Sequence, residues 1–371
     1  MSEFHGIVFA YSSTPELGNL VRTRTCASLP FCGRYRLIDF ALSSMRNAGI
    51  YNVGVIMQRD YQSLLDHLGS GKDWDMSRRH GGLRMLPPFG LPEYHTGAYS
   101  GTVEALNAVS TYVRNIKEKY VVLMHGNLAA NLDLEDICRR HEKSGAGITA
   151  VCTREPLDYI HHCFIPGADG FAERMLFDRT GAGGEGFASL EAYVISKELL
   201  VELMDKCRAN NRRHFHRDAV GDYLSSGGKT AIYIHEGYGK RIMSTEAYFR
   251  ASMDMLCGDK RAALFPTDRP VRAKSHEDVS TYYGENARSV NSLVADGCII
   301  EGEVENCIIS SGCRVEKGAK LRDCIIMRGC VIGEGVSLSC VIADKYTEVT
   351  PGQALAGSER LPLVIPKHSK I

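Results

Sequence analysis

No apolar run in this chain approaches the roughly 18–20 residues needed to span a bilayer as a helix. The opening Met1-Ser2-Glu3-Phe4-His5 lacks the basic flank and long apolar stretch of a signal peptide. Net charge is absent as well. With 44 Lys plus Arg against 44 Asp plus Glu, nothing electrostatic recruits nucleic acid or an anionic membrane surface. No Cys-x-x-Cys pair occurs, and the 13 cysteines are an odd number, which argues against both a zinc ribbon and a disulfide framework. Together these absences lead us to expect a soluble, cytoplasmic protein with reduced thiols.

What is present is length and alternation. A chain of 371 residues exceeds one ordinary core, so two domains are expected. Over residues 1–257, β-rich segments alternate with helix-period segments, the signature of a mostly parallel α/β sheet. Strands are expected at 6–10, 52–58, 120–126, 147–153, 190–195 and 230–235. A helix is expected over 102–117, where Val103, Leu106, Val109, Val113 and Ile116 share one face. Another spans 134–143, with Asp133 as N-cap, acidic residues in its first turn, basic residues toward its end and Gly145 beyond. The helix carrying Leu37, Phe40, Ala41 and Met45 stops at Gly49.

Residues 258–292, with Pro266 and Pro270, break these patterns and read as an interdomain connection. Beyond it the chain repeats itself. Asn306-Cys307-Ile308-Ile309 recurs as Asp323-Cys324-Ile325-Ile326, and Gly312-Cys313, Val315 and Leu321 recur as Gly329-Cys330, Ile332 and Leu338, all shifted by 17. Aliphatic residues step by six through Ile309, Val315, Leu321, and again through Ile326, Ile332, Leu338. That spacing fits a parallel β-helix over about 293–355, with one inward aliphatic per face of a triangular coil. Period-two alternation and hairpin turns would have marked a β-sandwich instead. Cys298, Cys307, Cys313, Cys324, Cys330 and Cys340 fall in this region, where reduced cysteine serves as a small buried hydrophobe. The domains therefore read as 1–257, a connection at 258–292, and 293–371.

Pro30-Phe31-Cys32-Gly33-Arg34-Tyr35-Arg36-Leu37-Ile38-Asp39-Phe40 closely resembles the PFGGKYRLIDF segment of bacterial glucose-1-phosphate adenylyltransferases. The resemblance runs through nearly the whole chain, including residues 291–300 at the start of the repeats. It implies a Rossmann-like nucleotidyltransferase domain followed by a left-handed β-helix. In that family an AGGRGTRL loop and an RAKPA run grip the nucleotide. Here the loop falls on residues 10–17, with Ser13 at its arginine, and the run falls on Arg24-Thr25-Cys26-Ala27-Ser28, with Cys26 at its lysine.

Nucleotidyl transfer needs two anions positioned and their charge neutralised, normally with magnesium held by carboxylates. The resemblance places the two family aspartates on Asn127 and Arg241. Asparagine lacks the negative charge, and a guanidinium repels the metal. Replacement at Ser13, Cys26, Asn127 and Arg241 leads us to expect no catalytic residues, no metal and no cofactor. The family's glutamine-bearing segment near the adenine falls on residues 86–91, where the glutamines are missing.

Other motifs survive. Tyr99-Ser100-Gly101-Thr102 resembles the nucleotide-site Y-x-G-T segment, although a plain strand-to-helix turn capped by Thr102 fits equally well. Phe171-Ala172-Glu173-Arg174 resembles the F-x-E-K sugar-phosphate segment, or else is a solvated loop pair. Ser189 matches the serine of an S-M-G segment. Tyr99, Gly101, Thr102, Glu173, Arg174 and Ser189 are thus candidates for nucleotide or sugar-phosphate binding, and Lys240 and Arg241 for an anionic effector.

The resemblance further implies a D-type second subunit that joins a catalytic homologue in a hetero-tetramer, or a homo-oligomer when alone, and tunes its activity or effector response. A rival reading keeps the chain as a weakly active or altered-specificity sugar-1-phosphate nucleotidyltransferase. It would draw on His125 and Asp133, which lie near Asn127 in sequence without any recognised metal spacing. A hexapeptide acyltransferase would need a catalytic histidine, and the repeat region offers only His368.

Overall fold

The computed structural model describes residues 3–11, 15–88, 99–155, 157–181, 186–274 and 278–371. A nine-stranded mixed sheet forms the first domain. Phe4–Phe9 lies between Val53–Ile56 and Tyr120–His125, parallel to both, and Leu83–Leu86 extends the parallel part. Phe187–Ser196 then runs antiparallel to Tyr120–His125, Ile148–Thr153 and Leu157–Pro166. Thr230–Ile234 pairs parallel with Ile148–Thr153, and Ala172–Gly181 pairs antiparallel with Leu157–Pro166. All six expected strands are among these.

The sheet is buried on both faces. One face packs Ile38, Leu42 and Met45 of the helix Leu37–Asn47 with Ile137 and Cys138 of the helix Leu134–Ser144. The second helix is built as expected: the Asp133 carboxylate accepts from the Asp136 amide, and Gly145 takes a left-handed φ of 66° at its end. The other face packs Val103, Leu106, Val113 and Ile116 with Leu200 and Met204. The expected helix over 102–117 is divided into Thr102–Ala108 and Ser110–Arg114 by Val109 at φ −110° and ψ 25°. Its apolar stripe stays buried across the break. A β-branched residue followed by Ser and Thr, which compete for backbone hydrogen bonds, accounts for the interruption.

The second domain is a left-handed parallel β-helix made of three five-stranded parallel sheets. Coils stack in the expected register: Ile309 on Ile326, Val315 on Ile332, Leu321 on Leu338. All six of these side chains are buried, as are the six cysteines. The Cys298, Cys313 and Cys330 thiols each donate to a carbonyl of the next coil, at 3.2, 3.1 and 3.0 Å. At one corner Asn306, Asp323 and Cys340 take φ of 51°, 51° and 52°. Asn and Asp tolerate that left-handed turn best among residues with a side chain.

The region expected as a plain connection, 258–292, is more than that. It contains the helix Gly258–Leu264 and the strands Tyr282–Tyr283 and Arg288–Val290, which pair with Ile299–Ile300 and Glu303–Glu305. The coils therefore begin before residue 293, and they continue past 355 to Leu363–Ile365. The first coil escaped the pattern because it caps the stack. Tyr282, Tyr283 and Val290 are exposed and need not be inward aliphatics.

A third core joins the two domains. Leu29, Phe31, Tyr248 and Phe249 pack with Ile325, Met327 and Ile342 of the β-helix. Beside it the buried Arg24 guanidinium donates to both Asp344 carboxylate oxygens at 2.6 Å.

Candidate functional site

The strand Phe187–Ser196 changes partners along its length, and its register slips between Ser189 and Ala192. The slip is a bulge centred on Glu191, whose φ is 53°. Left-handed backbone with a long side chain costs about 1–3 kcal/mol and persists only when the surroundings hold it. Here the Ser189 hydroxyl accepts the Glu191 amide at 3.0 Å and lies 3.3 Å from the Tyr193 hydroxyl. In the S-M-G pattern that Ser189 matches, Glu191 stands at the glycine. A left-handed φ explains why glycine suits that place.

The bulge turns the Glu191 carboxylate into a buried cluster. The Arg241 guanidinium lies 2.6 Å from Oε1 and His162 Nε2 lies 4.0 Å from it. His216 Nδ1 and His125 Nε2 lie 3.4 and 3.5 Å from Oε2. Burial is the largest single influence and would raise the Glu191 pKa, but the Arg241 guanidinium and the His216, His125 and His162 rings together outweigh it and hold the carboxyl well below its ordinary range. Burial, and next the same guanidinium, push the His125 pKa well below normal.

Arg241 reaches this position from the short strand Gly239–Arg241, which pairs antiparallel with Leu128–Ala130. That pairing places Arg241 beside Asn127. The Asn127 amide donates to the Ile242 carbonyl at 2.9 Å, and the Cys26 thiol points at the same oxygen from 3.5 Å. Burial pushes the Cys26 pKa up to about 12, against a smaller opposing pull from Arg241. Three of the four replaced positions, Cys26, Asn127 and Arg241, thus converge; Ser13 lies outside the described residues.

This arrangement does not fit the magnesium of the resembled family. Magnesium needs near-octahedral oxygen ligands carrying negative charge. Asn127 turns its donating nitrogen toward Ile242, and the one carboxylate in the cluster is already bound to a guanidinium. The pocket is neutralised from within.

The surviving motifs are engaged in structure as well. Gly101, not Thr102, is the N-cap residue, and a Cβ there would come within 2.2 Å of the Arg213 carbonyl. The Val103 amide donates to that carbonyl at 2.9 Å, and the Thr102 hydroxyl accepts from the Phe215 amide at 2.8 Å. The Ser100 amide is taken by Glu104. The Val103 amide in the first turn of this short helix is therefore already taken within the chain. Tyr99 packs edge-on against Tyr11. Glu173 and Arg174 are exposed on the outlying strand Ala172–Gly181.

Pairing Lys240 with Arg241 as one anion site is corrected by strand alternation, which sends neighbours to opposite faces. Lys240 is ion-paired with Asp254 at 3.3 Å, and Arg241 with Glu191. Asp133, invoked with His125, instead caps its helix and pairs with Arg269. A different concavity of about 790 Å³ opens between the domains. It gathers Arg34, Arg36, Arg261, Arg328 and Lys345 on one lining, with Asp278 and Asp296. Burial, then Arg36 and Arg24, lower the Lys345 pKa to about 7.

Sequence reasoning missed Glu191, His162 and His216. Only Glu191 carried a legible signal, a charged residue at a glycine position; the histidines come together through strand pairing alone.

Comparison with known proteins agrees with this architecture. Residues 13–159 match the family described as "Nucleotidyl transferase", and residues 274–360 match "GlmU-like, C-terminal hexapeptide". The glycogen biosynthesis protein GlgD of Bacillus subtilis is 33% identical over 362 residues, covering 98% of this chain and 95% of that protein. The glucose-1-phosphate adenylyltransferase of Clostridium kluyveri is 29% identical over 324 residues, covering 86% of this chain and 84% of that protein. That of Clostridium botulinum strain Alaska E43 is 28% identical over 325 residues, covering 87% and 84%. Among the described residues no helix is long and apolar enough to cross a membrane. With this fold and this similarity along almost its full length, the chain belongs to the glucose-1-phosphate adenylyltransferase family, on the D-type branch.

Proposed function

We propose that this chain is a non-catalytic, regulatory subunit in cytoplasmic ADP-glucose and glycogen synthesis. It acts by hetero-oligomer formation with a catalytic glucose-1-phosphate adenylyltransferase. One observation carries the reading: Arg241 and Glu191 form a buried ion pair where the resembled family needs a carboxylate and a glycine. Losing one catalytic group typically costs about 2.7–4 kcal/mol of transition-state stabilisation. Here several are replaced together, by groups that satisfy one another. The frame around them is intact, so what the chain retains is surface and shape.

Homologous folds pack through related surfaces, which makes a pseudo-symmetric assembly with the catalytic homologue available. Influence on that partner requires a different interaction free energy with its active and inactive states. The basic interdomain cleft offers a place for a phosphate-bearing effector to bias such a balance, since it touches both domains at once.

Co-expression of the two chains followed by size-exclusion chromatography and kinetics tests the proposal. A common peak, with altered turnover or effector response in the mixture, is the expected outcome. Separate elution with unchanged partner kinetics would overturn it.

A further inference from the structure

We propose that His162, Glu191 and His216 form a binding site for a divalent transition metal of the zinc class, unrelated in its ligands to the family's magnesium. Each offers one ligand atom, and the three atoms lie within 4.8 Å of one another. They come from three separate pieces of chain: the strand Leu157–Pro166, the bulge in Phe187–Ser196, and the short π-helix Phe215–Val220.

The distances are close to those a bound ion requires. Ligand bonds of about 2.0–2.2 Å in tetrahedral array set neighbouring donor atoms roughly 3.3–3.6 Å apart. His216 Nδ1 and Glu191 Oε2 are already 3.4 Å apart. His162 Nε2 is 4.0 Å from Oε1 of the same carboxylate, within the 4.8 Å that encloses all three ligand atoms. The His162 and His216 rings lie 4.3 Å apart between centroids, with their planes tilted by 30°.

Two features point to an ion in particular. Glu191 Oε2 is fully buried and makes no hydrogen bond among the described residues, with His216 Nδ1 and His125 Nε2 at 3.4 and 3.5 Å, whereas its partner oxygen Oε1 is held by Arg241. The loop that presents His216 is also fixed in advance, because the Asp218 carboxylate accepts the amides of Arg213 and His214 at 2.9 Å. Arg241 orients the carboxylate, leaving Oε2 to the metal, and its charge lowers affinity without closing the site. Two imidazoles and one carboxylate select zinc, cobalt or nickel over magnesium, which prefers oxygen and keeps its water. Three protein ligands leave a fourth position for water or an anion. His216, the partly exposed member, is the side from which an ion enters.

Titration of the purified full-length chain with Co2+ under reducing conditions, followed by Zn2+ displacement, tests this. One equivalent should bind with a tetrahedral visible spectrum free of thiolate charge-transfer bands, unaffected by millimolar Mg2+. His216→Ala should weaken binding on the order of 100-fold, and His162→Asn should do the same, with far-UV circular dichroism confirming the fold. Absence of stoichiometric binding in the wild type overturns the site. So does a thiolate spectrum, or affinity unchanged in folded His216→Ala, since the thirteen cysteines would then be the ligands.

Discussion

Glu191 and Arg241 make sense only as a pair. A glutamate in left-handed backbone is strained, and a guanidinium in a buried pocket lacks solvation; each supplies what the other needs. Removing one partner leaves an uncompensated buried charge, at about 3–5 kcal/mol. Arg241→Met should therefore lower unfolding stability by that amount, while Arg241→Met with Glu191→Gly should recover most of it. Urea denaturation of the single and double variants reads the coupling, and additive effects would show that the pair is not the unit. Acid sensitivity is set by buried imidazoles. Burial lowers the pKa of His125, of His216 and of His235, and brings His141 to about 4. Each takes up its proton near 6.5 when unfolded but not when folded, so the unfolded state binds more protons as pH falls below that value. Their contribution is complete above about pH 6.5 and is lost on acidification, at up to about 1.4 kcal/mol per pH unit for each. The depressed Glu191 carboxyl adds its own loss only below its ordinary pKa near 4.5. The midpoint of thermal unfolding should fall steadily from pH 7 to 5; a flat profile there would contradict the assignment. Replacement of the catalytic groups was legible in the sequence because Asn127 and Arg241 sit in recognisable flanks. The histidines were not, since nothing in their spacing announces that strand pairing brings them to one carboxylate.

Among elements, the repeats were the most legible part of the chain. A shift of 17 with aliphatics every six residues leaves one geometry, and Ile309, Val315, Leu321, Ile326, Ile332 and Leu338 all face inward. Ile326 stacks between Ile309 and Ala343, fully buried. Ile326→Asp places an unpaired carboxylate in that dry column, a cost of several kcal/mol against marginal domain stability. Limited proteolysis should then cut the β-helix rapidly while leaving most of the first domain, and wild-type resistance in the variant would refute the register. Elements whose residues answer to tertiary neighbours were harder to read. The break at Val109 lies inside an unbroken apolar stripe, and the terminal coil at 282–290 hides because no further coil covers it. Bulges follow the same logic: only the register shift at Ser189–Ala192 reveals why Glu191 points inward.

For the whole molecule, the two domains are joined by a shared apolar core and the buried Arg24–Asp344 pair. Arg24 belongs to the run that resembles RAKPA, so a segment tied by resemblance to nucleotide binding is here committed to domain docking. The sequence showed both domains but not their junction, because residues 320 positions apart leave no local trace of their contact. The basic cleft arises in the same way, from cations that only the docking brings together. What the molecule keeps is its two-domain frame, and three of the replaced positions, Cys26, Asn127 and Arg241, meet in one pocket. The central claim, that this pocket is closed to nucleotidyl transfer, is tested most directly by ADP-glucose formation. The purified chain, free of any catalytic homologue, is supplied with ATP, glucose 1-phosphate and magnesium. The account predicts no turnover above background, and none in Asn127→Asp, because Arg241 still opposes the metal. Turnover within about a hundredfold of a catalytic family member, some 2.7 kcal/mol in barrier, would contradict it.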